Sequence, residues 1–541
     1  MVGVNSLVVN TYLSKGYLSM VWKDEIEELN QRLDMAHRMG GEAGVRRQHD
    51  NGKLTVRERI TELSDEGSFR EISALAGSGK YINNELVDFT PFPRVIGSAK
   101  INGMRVMLDG GDFTVRGGAG ERGTGSKPNS VKYASQWRLP LVRLLDAVGG
   151  SVRTFEQIGK TYIPDGNYGT TESVELLNKV PVVSAVLGSV AGLPAIEACM
   201  SHFSVMVKDT SQIFAGGPPV VKAALGYEIT KEDLGDYRSQ IYKAGVVDNL
   251  AETEQEAFEA VRQFLSYMPP NVWTKPQRME SMDVPERREE SLLSVIPRSA
   301  RRRYDPYKIL DAVLDQDSFF EIAPFYGKSR ITGLARVDGY PVGVMINNPN
   351  FLGGSTDIAS GEKTIRMIGL CDTFNLPMVS FVDEPGFMVG KEVQDQGIVR
   401  AGARMVIAGC RSQTPWISFY LRQAYGVAGQ TQHRATGMYH RYAWPSAKWG
   451  SMHIEGGVAA AYRRDIAASD DPESKRKEIE DKLNAMASPF RTAEETGGSN
   501  GSYGIDIIDP RDTRPLLCEF VDMAQDMLDA QLGPAAVPYL P

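Results

Sequence analysis

Apolar and polar residues follow two rhythms along the chain. Short apolar runs bounded by glycine, at residues 95–108, 182–187 and 416–421, predict buried β-strands. Segments with apolar residues three and four positions apart, at 256–267 and 516–532, predict amphipathic helices. Because strand-like and helical segments alternate, the pattern favours an α/β architecture.

Two other segments are too polar for a core. Residues 24–38 form a charge-rich helical pattern with apolar residues on one side, which predicts a helix on the outside of the body. Residues 269–304 combine several prolines with dense charge, which predicts an exposed connection between two larger units.

The pattern of the first half recurs in the second half. Gly97 aligns with Gly333 at an offset of 236, and Gly117-Gly118 aligns with Gly353-Gly354 at the same offset. In each copy the proline of a Leu-Pro pair stands six residues before an aspartate, and another proline stands eleven residues before a glycine. These anchors are Leu139-Pro140 with Asp146, Leu376-Pro377 with Asp383, Pro181 with Gly192, and Pro415 with Gly426. Two copies of one fold predict two equivalent surfaces, with one pocket for each of two ligands.

The duplication also predicts the domain organisation. A chain of 541 residues is too long for one hydrophobic core, and two domains of about 200–250 residues are expected. We predict an N-terminal extension and helix at 1–50, a first domain at 51–290 and a second domain at 291–541.

Charge and composition exclude several classes of protein. A formal net charge of −8 argues against a general nucleic-acid binder. Four cysteines without CxxC spacing give neither a zinc ribbon nor a disulfide framework, and they favour a reducing cytoplasm. Six dispersed histidines predict no metal site. Residues 180–200 are long and apolar enough for a membrane span, but their glycines and prolines predict a buried strand, a turn and a helix start instead.

Candidate chemistry lies where each copy places an apolar strand before a glycine turn and a helix start. The turns are at Gly192 and Gly426. Backbone N–H groups at a helix start are unpaired and can bind an oxyanion, helped by the helix dipole. Each motif alone also fits a tight structural turn, but its equivalent placement in both copies favours a function.

Taken together, the motifs closely resemble those of the carboxyltransferase (β) subunits of biotin-dependent acyl-CoA carboxylases, such as the propionyl-CoA and methylcrotonyl-CoA enzymes. The resemblance covers roughly residues 22–535. The motifs that carry it are Gly52-Lys53-Leu54-Thr55, Arg57-Glu58-Arg59, Asp112-Phe113-Thr114, Phe214-Ala215-Gly216-Gly217-Pro218-Pro219, Glu232-Asp233-Leu234-Gly235, Asp383-Glu384-Pro385-Gly386-Phe387, Ala424-Tyr425-Gly426, Ala443-Trp444-Pro445 and Pro510-Arg511-Asp512-Thr513-Arg514.

The resemblance implies two tandem crotonase-like domains and a homohexamer of two stacked trimers. It implies a coenzyme A thioester on the N-terminal domain and carboxybiotin, carried by a biotin carboxylase/biotin carrier (α) partner, on the C-terminal domain of a neighbouring subunit. Carboxybiotin would break down to CO₂ and a biotin enolate, and biotin would take the α-proton of the thioester.

The resemblance also implies roles for individual residues. Turn amides would stabilise the two enolates, each donor contributing about 10²–10³ in rate. These catalytic positions are Gly192 and Leu193 in the first copy and Gly426, Val427 and Ala428 in the second. The positions implied to bind the ligands are Gly149, Gly150, Arg153, Gly386, Phe387, Gly429 and Gln430.

The chain departs from the family pattern at these sites. The usual Asp-Ser-Gly-Gly-Ala-Arg is replaced by a longer segment, residues 146–153. The usual Ala-Gly-Gly reads Ala191-Gly192-Leu193, and the usual Gly-Gly-Ala-Tyr reads Gly426-Val427-Ala428-Gly429. We therefore expect carboxyl transfer to the α or vinylogous carbon of an acyl-CoA other than plain propionyl-CoA. The alternatives are a non-catalytic scaffold subunit and a family member that acts as a decarboxylase or without biotin.

Overall fold

The structure is a computed structural model. It describes residues 21–119, 129–150, 155–156, 159–161, 163, 169–299, 302–434, 436–494 and 504–541.

The first half of the chain forms a seven-stranded sheet with order β1-β4-β5-β6-β7-β9-β11 and two small two-stranded pairs, β2-β3 and β8-β10. Its strands are β1 Arg70–Glu71, β2 Gly77–Ile82, β3 Glu85–Pro91, β4 Arg94–Ile101, β5 Met104–Gly111, β6 Leu141–Leu145, β7 Val182–Val186, β8 Ser189–Ala191, β9 Phe203–Val207, β10 Gln212–Phe214 and β11 Asn249–Ala251. Its helices are α1 Lys23–His37, α2 Gly41–Asp50, α3 Val56–Leu63, α4 Ser130–Trp137, α5 Thr170–Leu176, α6 Leu193–Cys199, α7 Pro218–Leu225, α8 Lys231–Gly235, α9 Tyr237–Gln240 and α10 Glu254–Tyr267.

The second half forms an eight-stranded sheet with order β12-β13-β14-β15-β16-β17-β19, in which β18 pairs with the far end of β16. Its strands are β12 Phe320–Ile322, β13 Arg330–Val337, β14 Tyr340–Asn347, β15 Met378–Glu384, β16 Trp416–Tyr425, β17 Tyr439–Ala443, β18 Lys448–Gly450 and β19 Asp506–Ile507. Its helices are α11 Tyr307–Val313, α12 Ile358–Phe374, α13 Lys391–Asp395, α14 Ile398–Arg411, α15 Gly426–Gln430, α16 Ile454–Ala461, α17 Arg463–Ala467, α18 Pro472–Met486, α19 Pro489–Glu494 and α20 Thr513–Ala530.

The two sheets repeat each other strand for strand, which confirms the α/β class and the duplication. In both, a short strand and a hairpin are antiparallel, and the following strands are parallel. Gly97 pairs with Glu71, and Gly333 pairs with Glu321. A Cβ at either glycine would lie 2.4 Å from a carbonyl oxygen on the short strand and against the ring of Phe69 or Phe319. The glycine that anchors the sequence repeat is therefore required by the same close contact in both copies.

The helices predicted from the sequence are present. The segment 24–38 is α1, whose side chains are mostly exposed, and 256–267 lies within α10. The predicted C-terminal helix is α20, which buries one face that includes Leu517, Phe520 and Val521. Thr55 begins α3 with a reciprocal hydrogen-bond pair, since its side chain accepts from the Glu58 amide while Glu58 accepts from the Thr55 amide.

One large hydrophobic cluster crosses the boundary between the two halves, so they do not pack as separate bodies. Phe203 of β9 stacks on Phe264 of α10 at 5.0 Å and meets Phe320 of the second half edge-on at 5.3 Å. Arg366 of α12 donates to Asp248 at 2.6 Å across the same boundary. The imidazole of His202 lies between the rings of Phe374 and Tyr539, so the C-terminal segment returns to the first half.

Candidate active site

The duplication extends to the two predicted turns. In the first copy β8 pairs with β10 in parallel, and Gly192 follows β8 directly. In the second copy the end of β16 pairs with β18 in parallel, and Gly426 follows β16 directly. Gly192 has φ of 68° and Gly426 has φ of 61°, in the left-handed region that favours glycine. The two turns are thus equivalent in strand pairing, and each begins with a glycine of positive φ.

Gly149 and Gly192 meet backbone to backbone. A Cβ at Gly149 would lie 3.0 Å from the Ala191 carbonyl oxygen, and a Cβ at Gly192 would lie 3.4 Å from the Gly149 Cα. The amide of Ala191 donates to the carbonyl of Ala147 at 3.2 Å, which ties the two loops together. The structure therefore brings these two predicted site residues into one site. A Cβ at Gly150 would meet no atom within 4 Å, and Arg153 lies outside the described residues.

The amides of the first turn are not equivalent. The Gly192 amide donates to the Phe214 carbonyl over a long 3.4 Å, as part of the β8–β10 pairing. Leu193 is the first residue of α6, so its amide has no acceptor within the helix. Its side chain is 52% exposed. The Leu193 amide is therefore the better placed of the two donors for an incoming oxyanion.

A buried network of charged side chains supports the loop that packs against the first turn. Asp146 is fully buried and accepts hydrogen bonds from Gln48 at 2.7 Å, Lys53 at 2.9 Å and Arg59 at 3.1 Å. Arg59 also forms two 2.8 Å hydrogen bonds to Glu254. Burial lowers the pKa of the Lys53 ammonium despite the adjacent Asp146. This network fixes the start of the loop that leads to Gly149.

The residues after Gly426 divide by exposure. The side chains of Val427, which is 54% exposed, and Gln430 face outward, while Ala428 is buried. Gly429 is also buried, and a Cβ there would lie 2.9 Å from the Ala424 carbonyl carbon. The structure therefore gives Gly429 a packing role within the turn, independent of any ligand.

Glu384 organises the second site. One of its oxygens accepts from Arg330 at 2.7 Å and Thr356 at 2.6 Å, and the other accepts from the Gly386 amide at 2.9 Å. Gln432 donates both to Glu384 and to the Ala428 carbonyl, each at 3.2 Å. A single fully buried carboxylate therefore ties the Gly386 loop to the turn that follows Gly426.

Asp383 is the counterpart of Asp146 in the second copy. It is fully buried and accepts from Arg422 at 2.9 Å and from the Tyr304 hydroxyl at 3.0 Å. Burial, together with the Asp383 charge, raises the pKa of Tyr304 well above its usual value. Each copy thus has a buried aspartate, paired with a basic side chain, close to its site.

The Gly386 loop is shaped by its own backbone and by Phe387. Gly386 has φ of 128°, and its carbonyl accepts from the Thr356 amide at 3.1 Å. A Cβ at Gly402 of α14 would lie 2.9 Å from the Phe387 ring, so the ring packs against this helix. The backbone of Gly386 and the ring of Phe387 thus serve different purposes, the first shaping the loop and the second anchoring it.

Sequence reasoning missed the buried networks. Asp146 and Asp383 are spacing anchors of the repeat, and Asp383 and Glu384 also belong to a motif of the resemblance, but neither the spacing nor the resemblance gives a role in the site to these residues or to Arg330 and Gln432. A usable signal was present for Glu384, because two adjacent acidic residues directly after an apolar strand are unusual in a core and require partners.

Neither a metal site nor a membrane span emerges from the described ranges. Within them, no group of three or more His, Cys, Asp or Glu side chains could hold a metal ion. No helix in the described part of the chain is long and apolar enough to cross a membrane.

Comparison with known proteins identifies the class. The carboxyl transferase domain family matches residues 47–529. The chain is 33% identical to a propionyl-CoA carboxylase carboxyltransferase subunit of Haloferax mediterranei, over 95% of this chain and 98% of that one. It is 30% identical to the methylmalonyl-CoA carboxyltransferase 12S subunit of Propionibacterium freudenreichii, over 94% and 95% of the two chains.

Comparison with solved structures gives the same class. A transcarboxylase 12S crystal structure, described as a hexamer with methylmalonyl-coenzyme A and methylmalonic acid bound, superposes with a TM-score of 0.82 at 28% identity and covers 92% of this chain and 94% of that one. The protein is a carboxyltransferase with two tandem crotonase-like domains. It belongs to the carboxyltransferase subunits of the biotin-dependent acyl-CoA carboxylases. The scaffold and decarboxylase alternatives are not favoured.

Proposed function

We propose that the protein moves a carboxyl group from carboxybiotin to the α or vinylogous carbon of an acyl-CoA. One observation carries the proposal: each copy presents a left-handed glycine, Gly192 or Gly426, at the same point of the same paired-strand frame. A duplicated frame suits a reaction in which two partners each develop negative charge on an oxygen.

The chain's own residues would act by binding and charge stabilisation. At the first turn, the Leu193 amide with Gly192 would hold the thioester oxygen as the α-proton leaves. At the second turn, Gly426, Val427 and Ala428 would hold the oxygen of the ureido ring. Carboxybiotin held at this turn would supply the transferable carboxyl group and the base for the α-proton. Glycine suits both turns, because a Cβ at Gly192 or Gly426 would lie within 3.4 Å of backbone atoms that line the turn.

The remaining ligand positions follow the same division. Gly149, Gly150 and Arg153 would contact the coenzyme A thioester, and Gly386, Phe387, Gly429 and Gln430 would border the biotin side and the acyl pocket. Gly149 supports this division most directly, since its backbone lies against Gly192.

Exposed apolar side chains support assembly into a homohexamer, a dimer of trimers. Leu193 and Ile196 of α6 and Val220 of α7 are each more than half exposed beside the first turn. Val389 and Val427 are similarly exposed beside the second. Pairing these faces between subunits would remove apolar surface from water and bring the two turns together.

The proposed partner is a biotin carboxylase/biotin carrier (α) subunit, and the proposed location is the cytoplasm. The protein would be combined with a biotinylated carrier, biotin carboxylase, ATP and ¹⁴C-bicarbonate, and offered acyl-CoAs of increasing length. We expect label in at least one acyl-CoA, with none when biotin is removed from the carrier. Absence of label from every acyl-CoA, with confirmed carboxylation of the carrier, would contradict the proposed function.

A further inference from the structure

The strand pairing is the same at both turns, and one position that is equivalent in the two copies carries very different residues. In the first copy β10 ends at Phe214 and α7 begins at Pro218, with Gly217 as the residue before the helix. In the second copy β18 ends at Gly450 and α16 begins at Ile454, with His453 as the residue before the helix. The second copy therefore carries an imidazole where the first has no side chain.

His453 contacts both loops that border the second turn. Its Nε2 lies 2.8 Å from the Pro385 carbonyl oxygen. Its ring centroid lies 4.1 Å from that of Tyr425, with the planes tilted by 41°. A carbonyl oxygen only accepts hydrogen bonds, so Nε2 must carry the proton and donate it.

The two residues that His453 joins lie directly beyond the last pair of β15 with β16. The last pair between β15 and β16 is Glu384 with Ala424. Pro385 and Tyr425 follow that pair, and beyond them the chains separate towards Gly386 and Gly426. The segment that carries His453 is itself fixed, because β18 pairs Gly450 with Tyr425. A Cβ at Gly426 would lie 3.3 Å from the carbonyl oxygen of Ser451 in this segment.

We propose that His453 is a positioning residue that sets the spacing between the Gly386 loop and the Gly426 turn, and through it the recognition of biotin. The proposal rests on the proposed function, in which this turn faces the biotin side. Glu384 fixes the two loops from inside the domain, and His453 fixes them from the half-exposed rim. The hydrogen bond to Pro385 sets the distance between His453 and the Gly386 loop. The ring contact with Tyr425 sets the orientation of the imidazole.

Two variants separate the contacts. His453→Phe keeps a ring against Tyr425 and removes the donor, whereas His453→Gln keeps an N–H donor and removes the ring. His440 is the matched control, since its Nε2 lies 3.2 Å from Asp506 and its ring 4.3 Å from Tyr442, but it pairs with Ile417 near the opposite end of β16. His440→Phe and His440→Gln should therefore resemble the wild type.

The KM for the biotinylated carrier and the KM for the acyl-CoA would be measured separately, using the acyl-CoA that the wild type carboxylates fastest. Loss of one hydrogen bond in His453→Phe should raise the carrier KM roughly five- to tenfold, leave the acyl-CoA KM unchanged, and be largely rescued in His453→Gln. Hydrogen–deuterium exchange of peptides that cover 384–390 should be faster in His453→Phe than in His453→Gln.

An unchanged carrier KM, a parallel rise in both KM values, or equal exchange in the two variants would overturn the proposal. A wild type that transfers no carboxyl group would instead overturn the proposed function. The exchange comparison would still decide whether His453 holds the two loops together.

Discussion

At Gly192 and Gly426 the proposed chemistry depends on the backbone and not on side chains. Both lie in the left-handed region, where a residue with a Cβ is strained by about 1–2 kcal/mol. Both also lie within contact distance of backbone, Gly192 against Gly149 and Gly426 against Ser451. The backbone itself is therefore the functional surface, and a substitution changes the shape of the site rather than its titratable groups.

Gly192→Val or Gly426→Val should lower carboxyl transfer by about a hundredfold or more, because the added atoms distort the turn and displace its amide donors. Turnover at saturating substrates and unfolding midpoints would be measured together. Gly103→Val is the control, since Gly103 is equally left-handed, with φ of 79°, but lies in a remote open hairpin. Full activity in either site variant would contradict the role of the turns.

The histidines give the converse prediction. Alanine at His433, His440 or His453 should leave substantial turnover at saturating substrates, since backbone amides rather than imidazoles stabilise charge. Burial lowers the pKa of His433 to about 4, so it is neutral throughout the assay range. Complete loss of turnover in one folded variant would show that a side-chain acid or base is at work.

Gln430 is the candidate for substrate choice. Its side chain is exposed in the single chain and follows Gly429, which stands where the family usually has an aromatic residue. The backbone of Ala424 already fills the space beside Gly429, so any effect on substrate choice should come from the exposed Gln430 amide, which should favour an acyl group more polar than propionyl. Competition between acyl-CoAs of different length would be compared for the wild type and Gln430→Ala. An unchanged order of preference would place Gln430 outside the acyl pocket.

Among the elements, Gly97 in β4 and Gly333 in β13 explain why the duplication was visible in the sequence. Strand pairing and the ring of Phe69 or Phe319 leave no room for a Cβ at either position. These two glycines anchor the repeat because the fold leaves no room for a side chain at either position. Because strands and glycine turns are local patterns, the strands within 95–108, 182–187 and 416–421, the helices α10 and α20, and both turns could be predicted from the sequence.

The partners of Glu384 could not be predicted in this way. Thr356 and Arg330 lie 28 and 54 positions before it, on different elements. Only the folded sheet brings them together, so no local spacing reveals the network. The same limit applies to Asp146, whose partner Lys53 is 93 positions away.

A side chain at Gly333 should destabilise its strand. Gly333→Ala would place a Cβ 2.4 Å from the Phe320 carbonyl oxygen, and overpacking of this kind costs about 1–3 kcal/mol. The midpoint of thermal unfolding should fall accordingly. Gly456→Ala, in the open first turn of α16, should leave the midpoint unchanged or raise it. Equal midpoints for the two variants would contradict the close contact.

For the whole molecule, His202 links stability to pH. Its Nδ1 accepts from the Val182 amide at 3.0 Å and its Nε2 donates to the Leu177 carbonyl at 2.9 Å, so the folded protein holds the ring neutral. Burial lowers the pKa of His202 from 6.5 to about 3. Between these values the unfolded chain binds the extra proton, so the free energy of unfolding should fall as pH drops below 6.5 and stay level above it.

Unfolding midpoints between pH 7.5 and 4.5 test this linkage. The decline should be shallower in His202→Asn, which removes the titrating group, and unchanged in the control His440→Asn, whose side chain is partly exposed. Parallel declines in His202→Asn and the wild type would assign the acid sensitivity to other groups.

The hydrophobic cluster that spans the two halves has a consequence for the stability of the whole protein. Phe320 of the second half packs on Phe203 of the first, and Tyr267 donates its hydroxyl proton to the Ser318 carbonyl across the boundary. If the chain were cut in the connecting segment, these faces would be exposed to water. Neither half alone would keep the packing at the boundary. Although the chain contains two copies of one fold, its two halves should unfold together in a single cooperative transition, because each half covers apolar surface of the other.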